Sequence, residues 1–308
     1  MFSVIFPGQG SQTIGMGKEF YDKYELVKNL FKQADDVLGI QLSKIILEGP
    51  KDQLDLTANT QPAIFLISYS IYTVATKELN IDLDKAKYFA GHSLGEYSAL
   101  SSAGYLNFSD TIKLLRIRGT AMQNAVPEGE GGMIAILGSN LEIIERILED
   151  YKNNLNVQIA NDNSEGQIVL SGKKNDLIKL IKTLKLKKIK SVQLPVSAPF
   201  HCTLMNKATT IMKEQIEKTK FEDSNKKLIS NVTANEISNK EELKKLLIDQ
   251  IENRVRWRES IINMINKGVN HFIELGPGKV LSGLIKRINN NVKIDTINSE
   301  SDIKNLNI

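Results

Sequence analysis

Tyr88-Phe89-Ala90-Gly91-His92-Ser93-Leu94-Gly95-Glu96-Tyr97 is the stretch on which the reading of this 308-residue chain turns. Tyr88 to Ala90 is a short apolar strand, and a helix is expected from about Leu94 to Ala103. Between them Gly91-His92-Ser93-Leu94-Gly95 matches G-x-S-x-G. A strand-to-helix turn of this kind holds its serine in a strained backbone conformation, and flanking glycines let neighbouring chains pass close by. The helix that follows points its N-terminus, where negative charge is favoured, at the group the hydroxyl would attack. Ser93 is therefore read as a nucleophile. The motif without its strand and helix would equally suit an ordinary glycine turn.

Outward from this point, helix and strand signals alternate almost throughout, which predicts an α/β fold around a largely parallel sheet. Phe2 to Phe6 is a strand ending in a Gly-rich turn. Amphipathic helices are expected over Lys18–Leu38 and Pro62–Leu79, and another from Ser109, as N-cap with Asp110 in the first turn, to about Asn124. Pro127-Glu128-Gly129-Glu130-Gly131-Gly132 marks a boundary. Beyond it come strand 133–137, helix 141–151, strand 155–160, strand 167–170, helix 173–184 and strand 188–194. That order, βαββαβ, is the ferredoxin-like unit. Pro195 and Pro199 punctuate its exit, after which the α/β pattern resumes. The expected architecture is an α/β-hydrolase-like large domain with a parallel sheet, residues 1–126 and 197–308, interrupted by a ferredoxin-like small domain, 127–196. The polar end, 299–308, is expected to fray.

A composition of 41% hydrophobic and 25% charged residues is ordinary for a globular protein, so neither a metal nor disulfides are needed to explain folding. A single cysteine, Cys202, excludes an internal disulfide framework and suits a reducing, cytoplasmic compartment. The apolar start, Met1 to Gly8, lacks a basic region and is too short for a secretory leader. No apolar run approaches the length of a membrane span. The net charge is +4, and the clearest basic run is Lys182-Thr183-Leu184-Lys185-Leu186-Lys187-Lys188-Ile189-Lys190. It reads either as a solvated helix end and strand face or as a docking surface for an acidic partner. Aromatic residues are not interleaved with these charges, which argues against nucleic acid.

A serine nucleophile needs a base, and the chain has three histidines. His92 adjoins Ser93 and cannot easily aim at it from such a turn, so it reads as a packing or hydrogen-bonding residue. His271 opens the apolar strand His271-Phe272-Ile273-Glu274-Leu275 and suits a structural role. His201 lies in the loop Ser197-Ala198-Pro199-Phe200-His201, where the chain returns from the insert, and loops on rigid scaffolds collect catalytic groups. Elimination leaves His201 as the base. Cys202 competes as a nucleophile, but no elbow or helix N-terminus activates it.

Several separated motifs, in order, resemble one family over nearly the whole chain, from about Phe2 to Arg287. They are Phe6-Pro7-Gly8-Gln9-Gly10-Ser11-Gln12, the elbow with Glu96, Arg116-Ile117-Arg118-Gly119 with Met122-Gln123, Gly166-Gln167-Ile168-Val169-Leu170-Ser171-Gly172, Phe200-His201 with Leu204-Met205, and Glu274-Leu275-Gly276-Pro277-Gly278-Lys279-Val280-Leu281. The chain resembles the malonyl-CoA:acyl carrier protein transacylases of type II fatty acid synthesis. The resemblance implies a ping-pong transfer from malonyl-CoA, through a malonyl-Ser93 ester, to the phosphopantetheine thiol of an acidic acyl carrier protein, by a monomer with no bound cofactor. It implies that the backbone carbonyl of Gln250 orients His201, and no Asp or Glu between Ser93 and His201 stands out as a third triad member. It further implies an oxyanion hole from the backbone N–H groups of Gln9 and Leu94, a substrate-carboxylate ligand in Arg118, and acyl crowding by Phe200. Without the motifs, Arg118 would read as a helix-surface arginine and Phe200 equally as core.

Two departures from the family pattern concern loop stiffness. Arg254-Val255-Arg256-Trp257 lacks a frequent proline, and Glu165 stands where proline is common. The motif-level alternatives are a serine thioesterase or other hydrolase, a catalytically dead carrier-binding relative, and a freestanding acyltransferase of a polyketide pathway.

Overall fold

Strand β1 (Phe2–Phe6) sends Val4 and Phe6 into one apolar cluster and Ile5 into another on the opposite face. This two-sided burial is why the strand is apolar apart from the buried Ser3 rather than a polar–apolar alternation. The computed structural model describes residues 1–308 other than Ser197 and Ser238, so the expected restart of the large domain at residue 197 lies outside the described residues. The other strands are β2 (Phe89–Gly91), β3 (Gly131–Leu137), β4 (Val157–Ser164), β5 (Gln167–Lys173), β6 (Lys190–Gln193), β7 (Leu228–Ile229), β8 (Glu236–Ile237), β9 (His271–Leu275) and β10 (Lys293–Ile297). They form a six-stranded sheet ordered β10-β9-β1-β2-β7-β8 and a four-stranded sheet ordered β4-β5-β3-β6. In the first, β10, β9, β1, β2 and β7 run parallel and β8 closes the edge antiparallel. The second is antiparallel throughout, the ferredoxin-like order expected of βαββαβ.

The small sheet has a core of its own on one face, where Ile134, Ile136, Ile168 and Leu170 pack against Leu177, Leu180 and Ile144 of its two helices. From the other face Met133, Ala135 and Val169 join the main core. Strand β4 is stitched to the segment that leads into helix Trp257–Asn266: Asp162 N–H donates to Val255 O at 3.0 Å, and Val255 N–H donates to Ala160 O at 2.8 Å. The buried Asp162 carboxylate also takes an ion pair from Arg258 at 2.9 Å.

Two glycines make the elbow possible by their lack of a side chain. A Cβ on Gly91 would lie 1.9 Å from Gly95 O, and one on Gly95 would lie 2.3 Å from Phe6 O. The helix Gly95–Ser102 can therefore sit directly on β1 and β2. Beneath it runs helix Thr57–Thr73, apolar on nearly every side because it is enclosed on nearly every side. Its Pro62 leaves the carbonyl of Ala58 without an N–H partner, and Arg116 Nη1 donates to that carbonyl at 2.9 Å.

Element boundaries moved where two signals competed. The expected helix Lys18–Leu38 is two helices, Lys18–Lys23 and Glu25–Leu38, broken by extended backbone at Tyr24. Its apolar stripe, Phe20, Val27, Phe31 and Ala34, continues across the break, so periodicity cannot reveal it. Helix Phe108–Gln123 is capped by Asn107, whose side chain accepts from Asp110 N–H, and not by Ser109. Both residues suit a cap; starting at Phe108 lets that ring pack against Phe65 and Tyr69. Pro62 reads as a first-turn proline, yet the helix begins five residues earlier at Thr57. The C-terminal end does not fray at 300–304: Glu300–Lys304 is a helix with a Ser299–Asp302 capping box and a buried Ile303.

The two elbow and helix glycines give opposite expectations. Gly95→Ala should destabilise the fold by about 1–3 kcal/mol or more through overpacking against backbone. Gly283→Ala, in helix Val280–Ile288 with nothing near its Cβ position, should stabilise it by roughly 0.5–1 kcal/mol. Urea midpoints of the two variants check both signs.

Candidate active site

Ser93 occupies the turn between β2 and helix Gly95–Ser102 with φ 55°, and His201 has φ 57°. Both are left-handed conformations that cost a non-glycine residue about 1 kcal/mol or more and persist only where surroundings enforce them. At Ser93 the enforcement is visible. Its N–H donates to Asn231 Oδ1 at 2.7 Å, while Asn231 Nδ2 donates to Gly91 O at 2.7 Å. One asparagine side chain thus clamps both ends of the turn.

The strained pair meets. Ser93 Oγ lies 2.8 Å from His201 Nε2, and His201 Nδ1 lies 2.8 Å from the backbone carbonyl of Gln250. A carbonyl can only accept, so Nδ1 carries the hydrogen and Nε2 is left bare to accept from the serine hydroxyl. Burial, followed by the positive charge of Arg118, pushes His201 down to about 3. The ring is therefore neutral across the ordinary pH range, as a base must be before it acts.

Arg118, from helix Phe108–Gln123, is fully buried. Nη1 donates to Gln61 Oε1 at 2.8 Å; Nη2 donates to Gln250 Oε1 at 2.8 Å and to Ser93 Oγ at 3.2 Å. All three partners are neutral, and among the described residues no carboxylate lies within ion-pair distance of the guanidinium. Burying such a charge without a direct ion pair costs several kcal/mol. The site is one where an anionic group would be held beside the serine oxygen.

The remaining expected positions converge on the same place. Gln9, Leu94 and Phe200 line, with Ser93, Arg118 and His201, a cavity of about 470 Å³ at the seam between the two sheets. Among the described residues nothing accepts from the backbone N–H of Gln9 or Leu94. Phe200 is nearly buried on the cavity wall.

Residues set aside by elimination have other partners. His92 Nε2 bonds Asn163 Oδ1 at 2.8 Å and its ring lies 5.7 Å from that of Trp257. His271 Nε2 meets Asp295 at 2.7 Å on the parallel strands β9 and β10. Cys202 is buried, its thiol donates to Pro199 O at 3.1 Å, and burial pushes its ionisation up, away from nucleophilicity.

Reading the sequence missed Asn231, Gln61 and Glu96. The first two are polar residues in stretches without a motif. Glu96 lies immediately after the elbow, within the very interval searched for a third triad member. It does not reach His201; it accepts from Gln250 Nε2 at 2.6 Å.

A family model described as "Acyl transferase domain" matches residues 3–304. The chain belongs to the acyl transferase family. It is 43% identical over 302 residues to the malonyl CoA-acyl carrier protein transacylase of Bacillus subtilis (strain 168), covering 97% of this chain and 94% of that one. It is 37% identical to the protein of that name from Escherichia coli (strain K12), covering 97% and 96%. Among solved structures it superimposes on an acyl-carrier-protein-S-malonyltransferase from Bartonella henselae with a TM-score of 0.95 at 43% identity, covering 98% and 97%. A malonyl-transacylase solved in complex with a type II PKS acyl-carrier protein gives a TM-score of 0.94 at 36% identity, covering 98% and 97%. The resemblance drawn from the separated motifs is borne out.

In this acyltransferase the depressed ionisation of His201 has a consequence for stability. Between pH 6.5 and about 3 the unfolded chain binds a proton at position 201 that the folded chain refuses. Folding stability therefore falls as pH is lowered below about 6.5, because protonation at this position favours the unfolded chain. Denaturant midpoints should accordingly drop less steeply between pH 6 and 4 in His201→Gln than in wild type; parallel slopes would contradict it.

Proposed function

We propose that the chain transfers the malonyl group of malonyl-CoA to the phosphopantetheine thiol of acyl carrier protein, in fatty acid synthesis, through a malonyl ester on Ser93. One observation carries the reading: a fully buried arginine with neutral partners lies 3.2 Å from the nucleophilic oxygen. A planar guanidinium there can hold a malonyl carboxylate by two parallel hydrogen bonds.

In the first half-reaction Ser93 Oγ attacks the thioester carbonyl while its proton passes to His201 Nε2. The tetrahedral oxyanion is held by the N–H groups of Gln9 and Leu94, two cavity-lining residues whose backbone donors have no acceptor among the described residues. Collapse breaks the carbon–sulfur bond, and His201 returns the proton to the departing CoA sulfur. In the second half His201 takes the proton of the carrier thiol, the sulfur attacks the ester carbonyl, and Ser93 leaves with that proton. Gln250 keeps the imidazole in one tautomer by its carbonyl, so no carboxylate is required behind the histidine. Phe200, on the cavity wall, limits the width available beside the reacting carbon and so disfavours branched acyl groups.

Intact mass after mixing with malonyl-CoA tests these roles. Wild type should gain one malonyl group, Ser93→Ala none. Arg118→Ala should be acylated roughly ten- to a hundredfold more slowly, corresponding to loss of about 1.5–3 kcal/mol from a charged contact. Free malonate released equally fast with and without carrier protein would instead indicate a hydrolase.

The reading extends to the carrier. Leu186 is 86% exposed at the end of helix Lys174–Leu186, beside exposed Lys187, Lys188 and Lys190 leading into the edge strand β6. An apolar residue ringed by lysines complements an acidic carrier surface. Reversing Lys187 and Lys188 to glutamate should weaken carrier use several-fold without changing acylation by malonyl-CoA, measured as separate half-reactions.

We read residues 127–196 as an inserted domain within 1–126 and 197–308; the insert's separate apolar core supports this. The setting proposed is cytoplasmic and the protein monomeric, with the single buried free thiol supporting a reducing compartment. Among the described residues no helix is long and apolar enough to cross a membrane. Transfer to a polyketide carrier is a second reading of the same chemistry, favoured by the likeness to the transacylase solved with such a carrier. Comparing rates with fatty-acid and polyketide carriers separates the two.

A further inference from the structure

Glu96 sits in the first turn of the helix behind the nucleophile and is only 5% exposed, yet the transfer chemistry makes no use of it. Its Oε2 accepts from Gln250 Nε2 at 2.6 Å and from the N–H of Asn231 at 3.3 Å. Gln250 Nε2 also donates to the carbonyl of Ser93 at 3.0 Å. With its nitrogen so engaged, the amide presents Oε1 to Arg118 Nη2 at 2.8 Å, and the main-chain carbonyl of the same residue holds His201 Nδ1 at 2.8 Å. Turned over, the amide would set nitrogen against the guanidinium, donor against donor, and oxygen against a carboxylate and a carbonyl. An acceptor-only group at position 96 is what makes one orientation of that amide strongly preferred.

We propose that Glu96 is a positioning residue that locks the amide of Gln250 and thereby keeps Arg118 and His201 in register around Ser93. The inference rests on the malonyl-transfer reading and deepens it. Glu96 acts through Gln250 and touches neither the acyl group nor the reacting atoms. Its neighbour Asn231, the clamp on the elbow, is tied into the same network, so one carboxylate supports both the turn that carries the nucleophile and the residue that carries the histidine's acceptor.

The groups facing Glu96 decide how this responds to pH. Arg118 faces it from helix Phe108–Gln123, Tyr97 lies next to it on its own helix, Gln250 and Asn231 are neutral, and His201 connects only through Gln250. Burial pushes the Glu96 carboxyl up to about 7, against the pull of Gln250, Asn231 and Arg118. Ionised, it accepts both donors; protonated, it carries a hydrogen of its own and its hold on Gln250 weakens. His201 does not titrate in this range. Acylation should therefore rise with pH through about 7.

The test measures malonyl-Ser93 formation by rapid quench, using the malonyl thioester of N-acetylcysteamine, which has no phosphate titrating in this window. Wild type should accelerate about tenfold between pH 6 and 8, following ionisation of a group near 7. Glu96→Gln, nearly isosteric, should keep its melting temperature within a few degrees and show a flat profile. Glu96→Ala should be acylated roughly ten- to a hundredfold more slowly, with KM raised more for the malonyl than for the acetyl thioester. A Glu96→Gln profile that retains the wild-type rise, or Glu96→Ala acylating at the wild-type rate, overturns the inference while leaving malonyl transfer standing. Should Glu96→Ala fail to fold, the Glu96→Gln profile alone decides. A wild type that forms no Ser93 adduct overturns the malonyl-transfer reading and this inference with it.

Discussion

A guanidinium with no carboxylate in ion-pair contact, at the bottom of a cavity, constrains everything around it. Arg118 can be tolerated there because three neutral oxygens, from Gln61, Gln250 and Ser93, converge on its two terminal nitrogens. Each comes from a distant part of the chain. Gln61 lies on the enclosed helix Thr57–Thr73, Ser93 on the elbow, and Gln250 just past helix Lys240–Asp249. Polar partners in a low-dielectric site are worth more than in water, and a missing one costs correspondingly more. The fold must bring all three together before the charge can be buried at all.

The same convergence explains where strain is stored. Ser93 and His201 both adopt left-handed backbone, and both are held by hydrogen bonds from residues outside their own loops. A nucleophile already in its reactive pose need not reorganise during the reaction. A histidine kept neutral by burial and by the nearby arginine can accept a proton whenever the hydroxyl gives one up. Arg118 thus serves two ends: its charge suits an anionic acyl group, and it disfavours premature protonation of the base.

The four-stranded sheet supplies the cavity's other wall. Met133, Ala135 and Val169 face inward from it, while the bridge at Asn161–Val255 and the Asp162–Arg258 pair tie it to helix Trp257–Asn266, which packs on the large sheet. His92, silent in catalysis by its geometry, reaches across this seam to Asn163. The elbow is consequently braced on both sides, by Asn231 from the large domain and through its neighbour by the small sheet.

Sequence by itself determined much of this. The strand–G-x-S-x-G–helix order identified the elbow, because backbone crowding there admits little but glycine at two positions, as Phe6 O and Gly95 O show. The βαββαβ order was readable since each element carries its own periodicity. Ser93 and His201 could be singled out because few residue types can do the chemistry. Tertiary structure alone decided the rest. Tyr24 breaks a helix whose stripe runs straight through, Asn107 outcompetes Ser109 because of where Phe108 packs, and a polar tail is ordered by a capping box and one buried isoleucine. Asn231 and Gln61 carry no local signal and Glu96 shows only its place beside the elbow, for their importance lies in partners up to 154 residues away. Hydrogen bonds of that kind are properties of the folded arrangement, and no window along the chain contains both ends.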